Sequence, residues 1–383
     1  MLNRRSLLLA APSLVGGTTF STFSSLAAAA APPPVGTIRF GQSASLSGGQ
    51  AEYGRGVRDG IVAAFAAAPL RHPGSPRFEL VSLDDGGDKE RCKQNAKALI
   101  EGGCSGLIGF TSGAATEASL SLIEEAQMPL VGTASGNMGI RSSQLTMQYH
   151  VRAGYDTEFK RMVAYVKDFG MRRVGYVYLK DTSAANLGAM TAALESVGVK
   201  LTESVGLDRN AKSFEAEAKK LLAAKLDCVL FTTNAAPIAG IVDHMVAGQY
   251  RGLYFSSSFA GQALIDAMAQ KGQSVIMTQV VPRPNAMGLS VVSRAKQDLA
   301  ALGTGTRMGF TALEGYVAGL VAVEAARSGL RRDGVLSKTR FRDALAGLRI
   351  DLGGYKVDFA SGSTQGSNFV EVVAVDRHGR IIG

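Results

Sequence analysis

The chain has 383 residues, 46% apolar and 19% charged, with a formal charge of +9. That length exceeds one typical core and predicts two domains, and the composition is that of an ordinary globular protein. Lys and Arg are scattered, with no basic stripe interleaved with aromatics, so the charge implies a solvated surface and gives no reason to expect nucleic acid.

The N-terminus carries Asn3-Arg4-Arg5-Ser6, an apolar segment to about Leu26 and the run Ala27 to Ala31. This predicts a twin-arginine export signal over residues 1–31, removed in the mature protein. Gly16, Gly17 and many Ser and Thr make the segment a poor permanent membrane span. Arg4 and Arg5 are the only charged residues before Arg39, so its loss lowers +9 to +7. The mature protein is expected to be soluble and periplasmic.

Thr37 to Gly41 predicts a strand that ends in the polar loop Gln42 to Gly49. A helix follows from Arg55 to Ala68, closed by Pro69. Phe78 to Leu83 reads as a second strand, with exit loop Asp84-Asp85-Gly86-Gly87-Asp88. The three aspartates do not fit a calcium-loop spacing, and Asp88 is the expected N-cap of a helix from Lys89 to Ile100. That helix separates Cys92 from Cys104 by about 15 Å, too far for a bridge. Cys228, in an apolar strand-like run, reads as a core thiol. The glycines of Gly54 to Gly60 and Gly303 to Gly309 both miss the dinucleotide spacing by one residue, and neither set directly follows a strand.

Ser105 to Asn137 organises the first half. Leu107-Ile108 predicts a strand stopping at Gly109, followed by the small-residue loop Phe110-Thr111-Ser112-Gly113. Ala118, Leu122, Ile123 and Ala126 recur at helical spacing, and Pro129 ends that helix. Leu130-Val131 starts a parallel strand that stops in Thr133-Ala134-Ser135-Gly136-Asn137. Both polar loops then lie at carboxyl ends of adjacent strands, where open α/β sheets bind ligands. Hydroxyls and free backbone N–H groups there suit a carboxylate. Neither loop holds a catalytic acid, base or Cys.

After Tyr149 to Tyr155 a second alternating series begins. Predicted helices span Glu158 to Phe169, Ala189 to Val197, Phe214 to Ala224 and Ile238 to Ala247. Predicted strands span Arg173 to Tyr178, Lys200 to Val205, Cys228 to Thr232, Leu253 to Ser256 and Ser274 to Val281. This second unit matches the first in layout and predicts two similar lobes. Helices Ser290 to Leu302, Thr311 to Ser328 and Lys338 to Leu348 then precede strands Tyr355 to Phe359 and Asn368 to Asp376.

The pieces in order resemble the branched-chain-amino-acid type of ABC-transporter solute-binding protein. The likeness is carried by Leu46-Ser47-Gly48-Gly49 with Tyr53-Gly54, Asp84-Asp85-Gly86, Ile108-Gly109, Pro129-Leu130-Val131-Gly132 and Arg152-Ala153-Gly154-Tyr155. Later come Thr278 to Pro282, Leu313-Glu314-Gly315-Tyr316, Asp351 to Gly354 and Gln365-Gly366-Ser367. The resemblance implies the type I periplasmic-binding fold, α/β, with two doubly wound Rossmann-like lobes joined by three hinge crossovers near Ala153, Val281 and Tyr355. Residues 32–153 with 283–354 would form lobe 1, and 154–282 with 355–383 lobe 2. One solute would bind between the lobes as they close.

The resemblance further implies that Tyr53 packs on the solute and that Thr111, Ser112, Ala134 and Ser135 hold its carboxylate. Tyr155, Asn234 and Phe259 would face it from lobe 2, with Gln279 and Phe310 near the hinge. Amino-acid binders of this kind place an acid in the second lobe to pair with the ammonium. Here the matching loop is Ser258-Phe259-Ala260-Gly261, although Asp181 could still reach in. Burying an unpaired ammonium is costly, so an aromatic or short aliphatic carboxylate is preferred over an α-amino acid. The expected partners are that small molecule and a membrane ABC permease, with no cofactor, no metal and no nucleic acid, and the expected state is a monomer.

Rival classes are an enzyme, a sugar-repressor-like regulator and a receptor presenting its ligand to a membrane sensor kinase. His72, His150, His244 and His378 fall in unrelated segments, and no H-E-x-x-H or G-x-S-x-G motif occurs. A regulator would need a DNA-binding head where the export signal stands. Transport and sensing differ by partner, which a pull-down of the membrane protein would identify.

Overall fold

Gln42 and Ser43 are polar yet fully buried, because the first strand does not stop at Gly41. β1 runs Thr37–Ala44 and gives both side chains partners. Gln42 Nε2 donates to the Gly109 carbonyl at 2.9 Å, and Ser43 Oγ donates to Asp85 Oδ2 at 2.8 Å. The computed structural model describes residues 36–209, 211–330 and 334–382. The expected export signal, residues 1–31, lies outside them.

In chain order the first half contains α1 (Ala51–Arg71), β2 (Arg77–Asp84), α2 (Lys89–Glu101), β3 (Gly106–Ile108), α3 (Gly113–Ala118), α4 (Leu120–Glu125), β4 (Leu130–Val131) and β5 (Gln148–Tyr149). They form a parallel sheet of order β2-β1-β3-β4-β5. The chain then crosses to α5 (Tyr155–Asp168), β6 (Val174–Leu179), α6 (Ala184–Ser196), β7 (Leu201–Leu207), α7 (Glu215–Ala223), β8 (Cys228–Thr232), α8 (Ala235–Ala247), β9 (Leu253–Ser256), α9 (Gly261–Gln270) and β10 (Val275–Gln279). It returns as α10 (Ser290–Leu302), α11 (Phe310–Gly329) and α12 (Lys338–Ala346), makes the hairpin β11 (Arg349–Asp351) and β12 (Lys356–Asp358), and ends in β13 (Glu371–Val375) and β14 (Ile381–Ile382). The second sheet has order β14-β13-β10-β9-β8-β6-β7, parallel except that β13 runs antiparallel to both of its neighbours. All of β8 is buried, as a strand covered on both faces must be. This is the two-lobed type I arrangement.

Three crossovers join the lobes, between β5 and α5, between β10 and α10, and between β12 and β13. Tyr355 Oη lies 2.6 Å from the Val151 carbonyl oxygen and 3.0 Å from that of Val280. It therefore ties the first crossover to the second. Gln365 Nε2 donates to the Arg152 carbonyl at 2.7 Å and ties the third to the first. His150 pairs with Gln365 in an isolated bridge at the same place.

Several elements differ from the reading of the sequence. α1 starts at Ala51 and carries Pro69 within it, so Pro69 does not close the helix. In the last turn Pro69 forfeits one i→i−4 hydrogen bond, and the helix continues only two residues past it. The single helix expected before Pro129 is two short ones, α3 and α4. Thr116 Oγ1 donates to the Ser112 carbonyl at 2.7 Å and Ser119 Oγ to that of Ala115 at 3.0 Å, and such back-bonding bends and interrupts helices. The strand expected from Tyr355 to Phe359 pairs with β11 rather than joining either main sheet. Asp88 does cap α2, accepting the Arg91 N–H at 2.7 Å. Cys92, Cys104 and Cys228 are buried, and burial pushes Cys92 and Cys228 up to about 12. No helix among the described residues is long and apolar enough to cross a membrane.

Candidate functional site

β3 and β4 are adjacent and parallel, so the loops that leave them meet. The Ala134 N–H donates to the Phe110 carbonyl at 2.8 Å and joins one loop to the other. Gly113 leaves no room between them, since a Cβ there would fall 2.5 Å from Ser135 Oγ. Three hydroxyls are buried in this junction: Thr111, Ser112 and Ser135. Each accepts a backbone N–H: Thr111 Oγ1 from Ser45 at 2.9 Å, Ser112 Oγ from Ala115 at 3.3 Å, and Ser135 Oγ from Asn137 at 3.2 Å. A hydroxyl has one proton and two lone pairs, so the protons of Thr111 and Ser112 remain to be donated, while the Ser135 hydroxyl also meets that of Tyr155. In the second loop Ala134 and Ser135 spend their backbone N–H groups on Phe110 and Thr133, because that loop folds back on itself.

Tyr53, in the first turn of α1, crosses to this junction. Its Oη lies 2.9 Å from the Ala134 carbonyl oxygen, and its ring meets Phe259 of the second lobe edge-on at 5.6 Å. The Tyr155 hydroxyl lies against Ser135, and the Tyr155 N–H donates to the Gly136 carbonyl at 2.8 Å. Asn234 Oδ1 accepts from Gln50 Nε2 at 2.7 Å, again across the lobes. Phe310 opens α11, one turn before Glu314 and on its face. Gln279 is buried at the end of β10. Asp181 is not brought to this group. Its carboxylate is held by Arg209 at 2.7 and 3.0 Å, and its carbonyl by Lys89 at 2.8 Å. So Tyr53, Ala134, Ser135, Tyr155 and Phe259 are gathered, with Thr111 and Ser112 beside them.

Beneath them lies an ion cluster that the sequence reading did not assign. Arg152, on the first crossover, is 1% exposed. Its Nη1 donates to Glu314 Oε1 at 3.0 Å, and its Nη2 to Glu158 Oε1 at 2.5 Å and Ser258 Oγ at 2.7 Å. Glu158 also accepts from the Ser258 N–H at 2.8 Å and from Thr278 Oγ1 at 2.6 Å. Glu314 Oε2 lies 3.3 Å from Tyr53 Oη. Burial raises the Glu314 pKa, opposed by the charge of Arg152. Burial alone would lower the Arg152 pKa, but Glu314 and Glu158 together hold it up. The signal was available: Glu314 is the lone acid in the first turns of an otherwise apolar α11, and Arg152 opens Arg152-Ala153-Gly154-Tyr155.

Where the starts of α1, α9 and α11 meet, a cavity of about 450 Å³ opens beside Tyr53, lined also by Gly56, Arg58, Gly261, Met308 and Thr311. Arg307 Nη2 reaches Asp266 Oδ2 at 2.8 Å along its rim. Among the described residues no cluster of His, Cys, Asp and Glu is arranged to hold a metal ion.

The family profile for periplasmic binding proteins matches residues 37–380, the whole of both lobes. The chain belongs to the periplasmic binding protein family. No curated protein matches it in sequence. A possible leucine/isoleucine/valine-binding protein from Rhodopirellula baltica SH 1 is 23% identical, with 92% of this chain and 98% of that one covered and a TM-score of 0.84. A substrate-binding periplasmic protein from Ralstonia solanacearum is 26% identical over 90% of this chain and 99% of that one, with a TM-score of 0.81. An ABC-transporter solute-binding protein from R. palustris, in complex with 4-hydroxybenzoate, is 15% identical over 90% and 95%, with a TM-score of 0.77. This periplasmic binding protein thus shares its fold with solute binders, and its family works outside the cytoplasm.

Proposed function

We propose that this binding protein captures a small carboxylate between its two lobes in the periplasm and delivers it to a membrane ABC importer, acting as a monomer. The observation that carries the reading is the set of three buried hydroxyls, Thr111, Ser112 and Ser135, whose oxygens already accept, with the protons of Thr111 and Ser112 unspent and Ser135 linked to Tyr155. Charge-assisted hydrogen bonds are the strong ones, and neighbouring hydroxyl donors suit a carboxylate. Tyr53 and Ala134 complete that end, Tyr155, Asn234 and Phe259 face the solute from the second lobe, and Gln279 and Phe310 stand near the hinge. Lobe 1 would be residues 32–153 with 283–354, and lobe 2 residues 154–282 with 355–383, after removal of the signal at 1–31.

An ammonium finds little here. The loop Ser258 to Gly261 has no acid, Asp181 belongs to Arg209, and Glu158 is saturated by four donors. The R. palustris protein with bound 4-hydroxybenzoate is a precedent for such a solute on this fold. A second reading, an α-amino acid, has one observation in its favour. Arg152 supplies one positive charge to two carboxylates, and Glu314 Oε2 has only a phenol shared with Ala134. A thermal-shift screen of carboxylates and amino acids decides between them, because a ligand at 100 times its dissociation constant adds about 2.7 kcal/mol. Carboxylates lacking an amino group should shift the transition. Tight binding of leucine with none of the plain acids would select the second reading.

A further inference from the structure

Thr233 Oγ1, Ser257 Oγ and Gln279 Nε2 are buried and have no hydrogen-bond partner. The three residues are 0%, 0% and 1% exposed. Each sits at or just beyond the carboxyl end of β8, β9 or β10, which are consecutive neighbours in the second sheet. Neighbouring strands lie about 4.8 Å apart, so the three groups form a row along one edge. That edge faces the first lobe. Asn234, next to Thr233, bonds Gln50 of lobe 1, and Phe259, two residues beyond Ser257, packs on Tyr53. Buried polar groups in folded proteins are nearly always paired, and each exception calls for a reason. Three exceptions in one row, on an edge that faces the other lobe, call for one shared reason, and a polar group of the solute would supply it.

The row itself carries no charge. It has no acid to balance an ammonium and no cation to balance a second carboxylate, so a charged group there would be buried unpaired. Gln279 offers a donor, and the two hydroxyls can donate or accept. That set matches a neutral hydroxyl, which accepts one hydrogen bond and donates another. We propose that Thr233, Ser257 and Gln279 form a second subsite for a hydroxyl at the end of the solute remote from its carboxylate, so that the solute is a hydroxylated carboxylic acid. The inference rests on the carboxylate reading above and goes further by naming what the second lobe recognises.

The test uses two matched probe pairs, benzoate with 4-hydroxybenzoate and butyrate with 4-hydroxybutyrate. Titration calorimetry is run on the mature protein and on Thr233→Val and Ser257→Ala. The wild type should prefer the hydroxylated member of at least one pair by about tenfold, and each variant should lose most of that preference while still binding the parent acid. The unfolding temperature of each variant without added acid should hold or rise, because an apolar group replaces an unmatched polar one. A fall in that temperature together with an unchanged preference would mean the hydroxyls serve the fold, and would overturn the proposal. Equal affinity for both members of each pair in the wild type would also overturn it, while leaving the carboxylate reading intact. Binding of amino acids but of none of the four acids would overturn both.

Discussion

Arg152 shows how much can hang on one side chain. It is fully buried with Glu158 and Glu314, and removing one partner of such a group leaves uncompensated buried charge. Arg152→Met should therefore cost about 3–5 kcal/mol in urea unfolding, far more than loss of an exposed pair such as Arg173–Asp227. His150, four residues from Gly154 and 2% exposed, adds a dependence on pH. Burial, and then the charge of Arg141, holds its pKa well below 6.5. Folded His150 stays neutral while the unfolded chain takes up a proton below about 6.5. Its contribution is thus complete above that pH and is lost as pH falls, by up to about 1.4 kcal/mol per pH unit. Glu314 has the opposite sign: its raised pKa favours the folded state below the ordinary carboxyl value, and that contribution is lost as pH rises through the raised pKa. Urea midpoints between pH 7 and 5 should fall in the wild type and fall less in His150→Gln. Equal slopes would refute the assignment to His150.

At the scale of elements, α1 and α11 were both readable from apolar periodicity, but the reason for their glycines was not. The spacing of Gly54 to Gly60 excludes a dinucleotide motif but does not say what the glycines are for. The structure shows backbone packed on backbone. A Cβ at Gly60 would lie 2.1 Å from the Ala312 carbonyl oxygen, and one at Gly315 2.1 Å from that of Val57. Side chains cannot yield there because the obstacle is main chain. Gly315→Ala should cost at least about 1–3 kcal/mol, although alanine is the better helix former in isolation. A stability at or above wild type would show that the helices can separate freely. The short helix α3 carries a second consequence. Ser112 Oγ caps it through Ala115, so Ser112→Ala removes a cap and a proposed ligand donor together. The expected result is a loss of about 1 kcal/mol in stability and about tenfold or more in affinity for the screened acid. Unfolding and calorimetry on the same variant separate the two effects. An unchanged affinity would remove Ser112 from the site.

For the whole molecule, the two lobes meet directly. Gln50 reaches Asn234, Lys89 reaches the Asp181 carbonyl, the Met138 N–H reaches Asn186, and Arg307 reaches Asp266. On the proposed reading a solute enters as these bonds open, so closure and binding would share one equilibrium. The Arg307–Asp266 pair is largely exposed, and such pairs contribute at most about 1 kcal/mol. Asp266→Ala should therefore raise the release rate by less than about tenfold without changing the fold. Stopped-flow release would check this, and a far larger change would make the pair part of the site itself. Export is testable apart from the fold: N-terminal sequencing of periplasmic protein should start between Ala28 and Pro32, and an intact Met1 would refute the signal reading.

The order of strands and helices, the two-lobed class and the position of both polar loops follow from local patterns: apolar runs, period-3.6 stripes and breaks at Gly and Pro. These depend on neighbours in the chain, so the chain alone determined them. What Thr111, Ser112 and Ser135 do with their oxygens, which backbone groups Ala134 has left, and that Arg152, Glu158 and Glu314 share one buried site were decided only by tertiary structure. The partners come from segments as far apart as residues 53, 152 and 314, and hydrogen bonding and desolvation act on distance in space, to which separation along the chain is no guide.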